Sequence, residues 1–255
     1  MILRRLAEHL KQQHWTGVFI ELVIVVLGVF LGMQVSNWNA DRGDRAAEIG
    51  YLGGLKEDVD YSIGTLQLFI RNLEAQQTAR AQLFDFANDP KSTLGPAQRD
   101  RLVLVGLFEL PQLDINEVTF ETLKNSGRLA AIRSPELVSE LQSLSANVAA
   151  ALRDQADELQ TTYLFSDPLL VANVDMAGVF RQLSRSGNPY VPWLKDGPDV
   201  APTPEIMKSR QFANVLLYRS FFTNLRLANA RNMIEQHRRI AALIKVRQDT
   251  LRGTP

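Results

Sequence analysis

Length, composition and charge exclude several classes of protein. The chain has 255 residues, with 28 Lys and Arg against 28 Asp and Glu, and it contains no cysteine. A formal net charge of zero provides no global field that would draw the chain onto nucleic acid, so we expect no nucleic-acid partner. The lack of cysteine excludes disulfides, thiolate catalysis and cysteine-ligated zinc, and it suits an oxidising compartment.

Residues 1–14 precede the most apolar part of the chain. Ile2, Leu6 and Leu10 recur every four residues, with basic side chains elsewhere on the helical wheel. This pattern is typical of a short amphipathic helix on a membrane surface. We therefore expect residues 1–14 to form a cytoplasmic amphipathic lead-in.

The most apolar segment is residues 15–38, which begins at Trp15, ends at Trp38 and holds Glu21 as its one ionisable residue. A helix of this length covers roughly 35 Å, enough to cross a bilayer with a tryptophan at each interface. No Ala-x-Ala-like cleavage site follows the segment. We therefore predict an uncleaved transmembrane helix rather than a signal peptide.

The basic residues around this segment predict its orientation. Three basic residues precede it, and Arg42 and Arg45 follow it closely. The positive-inside rule counts only basic residues, so it slightly favours a cytoplasmic N-terminus. Residues 39–255 then form a domain on the other side of the membrane.

One face of the predicted membrane helix carries small residues and the single acid. Gly28 and Gly32 have the small-xxx-small spacing that lets two helices approach closely, and Glu21 lies within about 20° of Gly28 around the axis. We name this set the docking face; it consists of Gly17, Glu21, Gly28, Gly32 and Ser36. An ionisable residue within a span is costly and tends to be functional, so this face is expected to dock another membrane helix. The alternative is that Glu21 reaches the interface, or is protonated, without any partner.

Beyond residue 39, apolar residues recur every three or four positions, which predicts helices. Turn and N-cap signals divide the region into a helix to about residue 87 and further helices over 96–108, 116–126, 135–165, 168–183 and 204–252. No stretch has a convincing strand pattern. The predicted fold is all-α, with the transmembrane helix continuing into an antiparallel helical bundle over residues 39–255.

The long helices at the two ends of this bundle are expected to pair antiparallel. The residues predicted to face inward on the last helix are Phe212, Leu216, Phe222, Leu225, Met233, Ile240, Ile244 and Leu251. On the helix over 135–165, Leu152 is among the residues predicted to face inward. Gly50, Gly53 and Gly54 permit a hinge or a close helix contact, and leave open whether the first helix is continuous with the membrane helix.

The longest segment without periodicity is residues 184–202, which is rich in glycine and proline and contains Tyr190 and Trp193. Long loops in compact domains are often functional, so Tyr190 and Trp193 mark a possible contact loop. The alternative is that these aromatic side chains plug one end of the bundle.

Motifs of the common enzyme classes are absent from the sequence, including the phosphate-binding loop, Gly-x-Gly-x-x-Gly, His-Glu-x-x-His and Gly-x-Ser-x-Gly. Asp114, Glu117 and Glu121 form a compact acidic group, and His237 lies on or beside the apolar face of the last helix, where a packed histidine is the expected role. We predict no catalytic residue, no metal site and no cofactor. An enzyme built on these four residues requires them to meet in one cleft.

Two blocks of sequence resemble an uncharacterised family of bacterial proteins. The blocks comprise Glu21–Asn39, Tyr51-Leu52, Leu55–Val59, Thr119–Leu129, Ile132 and Ser134–Leu137. Members of that family have one N-terminal membrane helix and a helical domain of unknown function. The resemblance implies an envelope protein anchored in the bacterial inner membrane, with a periplasmic domain. It implies no particular activity.

These features favour two functions. The first is a non-enzymatic, membrane-anchored protein whose partners are the lipid bilayer and either a membrane or envelope protein or a second copy of the chain. The second is a small-molecule sensor, in which the helices enclose a pocket with converging polar groups and the membrane helix transmits its state.

Overall fold

The computed structural model describes residues 15–187, 191–198, 201 and 203–253, and for residues 15–18 and 21 it describes the backbone alone. Within these ranges the regular elements are all helices and there is no strand, which confirms the all-α prediction. The predicted lead-in over residues 1–14 and the side chain of Tyr190 lie outside the described residues.

Seven α-helices follow one another along the described chain. They are α1, Trp15–Asn88; α2, Pro96–Val103; α3, Val118–Asn125; α4, Pro135–Thr161; α5, Asp167–Asn173; α6, Met176–Arg185; and α7, Arg210–Gly253. Two π-helical turns, Leu104–Phe108 and Thr162–Ser166, extend α2 and α4. Short 3₁₀ turns cover Leu129–Ala131 and Glu205–Lys208.

Helix α1 is a single helix of 74 residues that includes the predicted membrane segment. Near its N-terminus it is long and apolar enough, by length and composition, to cross a membrane. The chain nevertheless divides into two compact units, residues 1–51 and 52–255. Gly54 provides a close helix contact within the second unit, since a Cβ at this position would lie 2.8 Å from the Thr119 hydroxyl oxygen.

In the second unit, α1 and α7 run antiparallel, as predicted. Gln77 donates to the Ser220 carbonyl at 3.0 Å, whereas Glu74 accepts from Arg231 at 2.8 Å. Residue numbers thus fall along α1 as they rise along α7, which fixes the relative direction of the two helices.

Helix α4 also lies antiparallel to α7. Asn229 donates to Asp154 at 2.8 Å, and Asn147 donates to Gln236 at 2.9 Å. The Ser134 hydroxyl caps the start of α4 by accepting from the Leu137 amide at 3.4 Å, so the N-cap predicted there is confirmed.

Along α7, the residues of one buried face recur at alternating spacings of three and four positions. Its members are Phe212, Leu216, Arg219, Thr223, Arg226, Ala230, Met233, His237, Ile240 and Ile244. The inward prediction is wrong at Leu225, which is exposed, and at Leu152 on α4, which is also exposed. Polar residues occupy several positions of the buried face, and Leu225, the residue before Arg226, falls outside it.

The helix predicted over 168–183 is two helices, α5 and α6. Val174 has extended backbone, and the Asp175 carboxylate then accepts from the Ala177 amide at 3.1 Å as the N-cap of α6. An aspartate cap starts a new helix because it satisfies an amide that no preceding turn can bind.

Candidate functional site

The docking face lies on an exposed part of α1. A Cβ added at Gly28 or at Gly32 would meet no atom within 4 Å, and Ser36 is exposed. Gly17 and Glu21 belong to the same helix, and only their backbone is described. The described part of the chain therefore leaves the close-approach positions of this face uncovered.

Trp38 occupies the position expected of an interface anchor at the end of the apolar segment. Its side chain is exposed, and the Arg42 guanidinium carbon lies 5.9 Å from the ring centroid. An amphipathic ring beside a cation is the combination found where a helix leaves the hydrocarbon region. Trp15, the other predicted anchor, is described by its backbone alone.

In the possible contact loop, Trp193 is 80% exposed. This exposure excludes the alternative in which Trp193 plugs the end of the bundle. The loop beyond it is tied to α6, because Arg185 donates to the Asp196 carboxylate at 2.7 Å. The hydrogen bond from Arg185 lowers the pKa of Asp196.

Two of the four residues of the enzyme hypothesis lie in ordinary surface contacts. Asp114 accepts from the Tyr61 hydroxyl at 2.8 Å, and this contact raises the pKa of Tyr61. Glu121 pairs with Lys124 at 3.0 Å, three residues along α3. Neither acid lies in the void that the other two residues share.

Glu117 and His237 line one small void together with Asp58. Its volume is about 10 Å³, roughly the room that one water requires. The Nδ1 atom of His237 lies 2.7 Å from the Met233 carbonyl oxygen, and burial lowers the pKa of His237 while raising that of Glu117. His237 is thus a packed histidine, and the void is too small for a substrate.

The core of the second unit contains a layer of polar side chains contributed by α1, α4 and α7. We name it the polar layer; it comprises Gln76, Arg80, Glu158, Arg219, Thr223 and Arg226, all of them buried. It holds three guanidinium groups and one carboxylate, and Glu158 pairs with two of the three, Arg219 and Arg226. Charged residues are almost never fully buried unless they are paired, so such a layer is unusual in a domain core.

Arg80 is satisfied by hydrogen bonds from several directions. Its Nε donates to the Gly106 carbonyl at 2.6 Å, and its two terminal nitrogens donate to the Thr223 hydroxyl, to the Arg219 carbonyl at 3.1 Å and to Gln76 at 3.1 Å. Burial, and next the neighbouring charge of Arg219, lower the pKa of Arg80 to about 9. Arg80 therefore keeps its charge at neutral pH.

Arg226 donates hydrogen bonds to Glu158 and to neighbouring acceptors. It donates to Glu158 Oε2 and to the Pro111 carbonyl, and it donates to Gln155 at 3.1 Å. The guanidinium carbon also lies 5.1 Å from the centroid of the Phe69 ring. Arg226 and Glu158 thus form a hydrogen-bonded buried pair.

Arg219 is the member of the layer that lacks hydrogen bonds. Its side chain is fully buried, and Nη2 lies 3.5 Å from Glu158 Oε1. Its Nε, Nη1 and Nη2 atoms have no hydrogen-bond partner in the described chain. Burial lowers the pKa of Arg219 against the opposing effect of Glu158. A guanidinium has five donors and cannot be deprotonated in proteins, so the lack of acceptors is costly.

Arg219 also lines a groove between α5 and α7, which we name the α5–α7 groove. One wall is the π-helical turn Thr162–Ser166 with α5, and the other is the first part of α7. Its volume is about 880 Å³, which is within the range of small-molecule sites. Its lining includes Phe165, Ser166, Arg210, Asn214, Tyr218 and Arg219.

The described residues contain no group of three or more His, Asp or Glu side chains placed to hold a metal ion. Comparison of the chain with protein-family models, curated proteins and solved structures yields no significant match.

Sequence reasoning missed the polar layer and the groove. One signal was available for the layer: Arg219 and Arg226 continue the three-and-four spacing of Phe212 and Leu216. Reading that spacing through polar residues, rather than skipping to Leu225, would have placed both arginines inside. No comparable sequence signal marks Ser166.

Proposed function

We propose that this chain is a membrane-anchored, non-enzymatic helical protein of the bacterial envelope that acts through contacts in or next to the membrane. One observation carries the proposal: fourteen large apolar side chains between Phe19 and Trp38 are exposed. Removing that much apolar surface from water is worth on the order of tens of kcal/mol. A bilayer supplies this burial, and the Trp38 and Arg42 pair fits its interface.

We place the protein in the inner membrane with a cytoplasmic N-terminus and a periplasmic domain. The excess of basic residues before the span and the resemblance to the uncharacterised bacterial family support this topology. The test is a pair of reporters fused after Pro255. Alkaline phosphatase is active when exported and green fluorescent protein fluoresces in the cytoplasm, so an inactive phosphatase with a fluorescent fusion would reverse the proposed orientation.

The docking face is proposed to pack against the same face of a second copy of this chain. The uncovered Gly28 and Gly32 positions support close approach of two helices. Because the chain lacks cysteine, Ser36→Cys introduces a single crosslinking site on this face. We expect a disulfide-linked dimer in membranes, and we expect Gly28→Leu with Gly32→Leu to abolish it.

The matched control for this experiment is Val26→Leu with Phe30→Leu, which changes two positions on roughly the opposite side of the helix. Crosslinking should survive in the control. Equal crosslinking in the glycine variant and the control would refute the docking proposal, while leaving the anchor itself unaffected.

A second candidate function, a ligand-binding domain that signals through its membrane helix, is favoured by the α5–α7 groove. The groove reaches Arg219, and the Arg219 carbonyl accepts from Arg80 of α1, the helix that also carries the apolar segment. Native mass spectrometry of the full chain released from bacterial membranes tests this function. A retained small molecule that is lost when Asn214→Trp obstructs the groove supports it, and an unliganded chain counts against it.

A further inference from the structure

We infer that the α5–α7 groove binds an amphiphilic monocarboxylate, a molecule with one carboxylate on an apolar chain or ring, whose charge pairs with Arg219. This inference rests on the ligand-binding function proposed above and names its ligand class. It follows from two properties of the groove, the polar atoms of lining residues that lack hydrogen-bond partners in the described part of the chain and the exposed apolar side chains among the lining residues.

Arg219 and Ser166, which line the groove, have side-chain donors without a hydrogen-bond partner among the described residues, and Glu158 Oε1 faces Arg219 Nη2 at 3.5 Å. Arg219 is fully buried, and its three nitrogens have no hydrogen-bond partner in the described chain. The Ser166 hydroxyl is buried and likewise has none. A carboxylate fits this end because its two oxygens can accept from a guanidinium fork and from a hydroxyl at the same time.

The charge balance of the polar layer also points to an anion. Arg80, Arg219 and Arg226 are offset by the carboxylate of Glu158. Asp167 also interacts electrostatically with Arg219, and burial raises the pKa of Asp167 against the effect of the Arg219 charge. The layer therefore carries excess positive charge in a region of low dielectric constant, where an added carboxylate would be strongly favoured.

The walls of the groove combine polar residues, among them Ser209, Arg210 and Gln211, with apolar side chains that are partly exposed. Leu164 and Phe165 are exposed, and the Phe165 and Tyr218 rings stack edge to face with centroids 6.1 Å apart. Leu169 and Val215 extend the apolar surface inward. An inorganic anion would leave these apolar side chains in contact with water, whereas a hydrocarbon without charge would leave the Arg219 nitrogens without a hydrogen-bond acceptor.

The local backbone is suited to the rearrangement that entry requires. Because Arg219 is fully buried, lining side chains must turn aside before a carboxylate can reach it. The wall that holds Ser166 is a π-helical turn, Thr162–Ser166. Single π-helical turns occur frequently at functional sites and interrupt the regular hydrogen bonding of a helix.

The test is equilibrium dialysis of radiolabelled octanoate against the full chain in lipid nanodiscs, with empty nanodiscs subtracted. Octanol, acetate and inorganic phosphate are the comparison probes. We expect octanoate to bind at least about tenfold more tightly than octanol, which corresponds to one charge-assisted contact. We expect acetate and phosphate to bind more weakly than octanoate by at least about the same factor, because they lack the apolar part.

Three variants locate the binding site. Arg219→Gln should remove the preference for octanoate over octanol, and circular dichroism establishes whether it folds. Asn214→Trp, at an exposed lining position, should reduce octanoate binding at least about tenfold by filling the groove. Leu217→Trp, at an exposed position of α7 outside the lining, is the matched control and should bind normally.

Each contrary result has a distinct meaning. If octanol and octanoate bind equally tightly, and Asn214→Trp abolishes the binding of both, the carboxylate inference is overturned. The ligand-binding function then still stands. If phosphate or acetate binds as tightly as octanoate, the inference that the ligand is amphiphilic is overturned. Absence of binding for every probe, or equal loss in Leu217→Trp, would overturn this site, and an unliganded chain in native mass spectrometry would overturn the ligand-binding function itself.

Discussion

The Nη2 atom of Arg219 lies 3.5 Å from Oε1 of Glu158, and both side chains are fully buried. The other carboxylate oxygen of Glu158 accepts from Arg226. One carboxylate therefore faces two guanidinium groups at the centre of the domain. Since removing one partner of a buried pair leaves an uncompensated charge, the stability of the domain should depend strongly on Glu158.

Glu158→Gln tests this dependence. We expect it to lower the free energy of unfolding by about 3–5 kcal/mol, the usual cost of breaking a buried ion pair from one side. Denaturant unfolding of the full chain in detergent, followed by circular dichroism, measures the change. Glu235→Gln, which removes an exposed partner of Arg238, should cost less than about 1 kcal/mol. Equal effects of the two variants would contradict the importance of the buried pair.

Gly54 and Gly53 offer a matched pair on adjacent positions of α1. Gly54→Ala brings a Cβ within 2.8 Å of the Thr119 hydroxyl oxygen, whereas Gly53→Ala meets no atom within 4 Å. We expect Gly54→Ala to destabilise the domain by about 1–3 kcal/mol through overpacking. Gly53→Ala should stabilise it by about 0.5–1 kcal/mol, because alanine loses less backbone entropy in a helix.

Thermal unfolding of both glycine variants provides the comparison, and the double variant Gly54→Ala with Thr119→Ala should recover most of the loss. Stabilisation by Gly54→Ala similar to that by Gly53→Ala would show that α3 moves away from α1 at little cost.

Lys208 is predicted to secure the C-terminal end of α1. Its ammonium donates to the carbonyls of Phe86 at 2.6 Å, Asp89 at 2.8 Å and Ser92 at 3.1 Å, and lies 3.7 Å from the centroid of the Phe86 ring. Lys208→Met should cost about 1–2 kcal/mol, because the last carbonyls of a helix lack intrahelical partners.

The control for this prediction is Lys91→Met, at an exposed position of the same turn, which should change the free energy of unfolding by less than about 0.5 kcal/mol. Faster hydrogen exchange of the amides near residue 88 in Lys208→Met alone would locate the effect. Identical exchange in the two variants would contradict the proposed role of Lys208.

His237 should make the domain less stable as the pH falls. Burial lowers its pKa below the ordinary value of 6.5, so below that pH the unfolded chain takes up a proton that the folded chain does not. The free energy of unfolding is then lost between pH 6.5 and the lower pKa of the folded state, by up to about 1.4 kcal/mol per pH unit.

Two acids, Asp58 and Glu117, line the same void as His237. The pKa of Glu117 is raised by burial, so its protonation opposes the loss at lower pH, and Asp58 accepts from the Thr119 amide at 2.7 Å. His237→Gln should flatten the stability profile between pH 7 and 5.5. An unchanged slope in the variant would assign the pH dependence to other groups.

The ends of several helices and the apolar segment could be predicted from the sequence because they depend on local chemistry. Ser134 and Pro135 start α4 because the hydroxyl caps the first turn and proline has no amide to satisfy. Gly127, which directly follows the helix predicted over 116–126, has a φ of 69°, a left-handed conformation that only glycine adopts without strain. Such features depend on neighbouring residues alone, so they can be predicted without the fold.

The boundary between α5 and α6 was missed for the opposite reason. Asp175 is a typical N-cap residue, but it interrupts an apolar pattern that continues through Val174 and Val179. Periodicity alone therefore favoured one helix. The choice depends on how the two short helices pack in the domain, which neighbouring residues do not encode.

By itself, the sequence determined an all-α chain with one exposed apolar helix segment and a small-residue face, because hydrophobic periodicity and length are local properties of the chain. Only the tertiary structure decided that Arg80, Glu158 and Arg219 meet in the core, since they lie on three different helices. Their distance in sequence hides their proximity, and their charge predicts exposure. The burial of these charges, rather than any sequence motif, makes the α5–α7 groove the candidate ligand site.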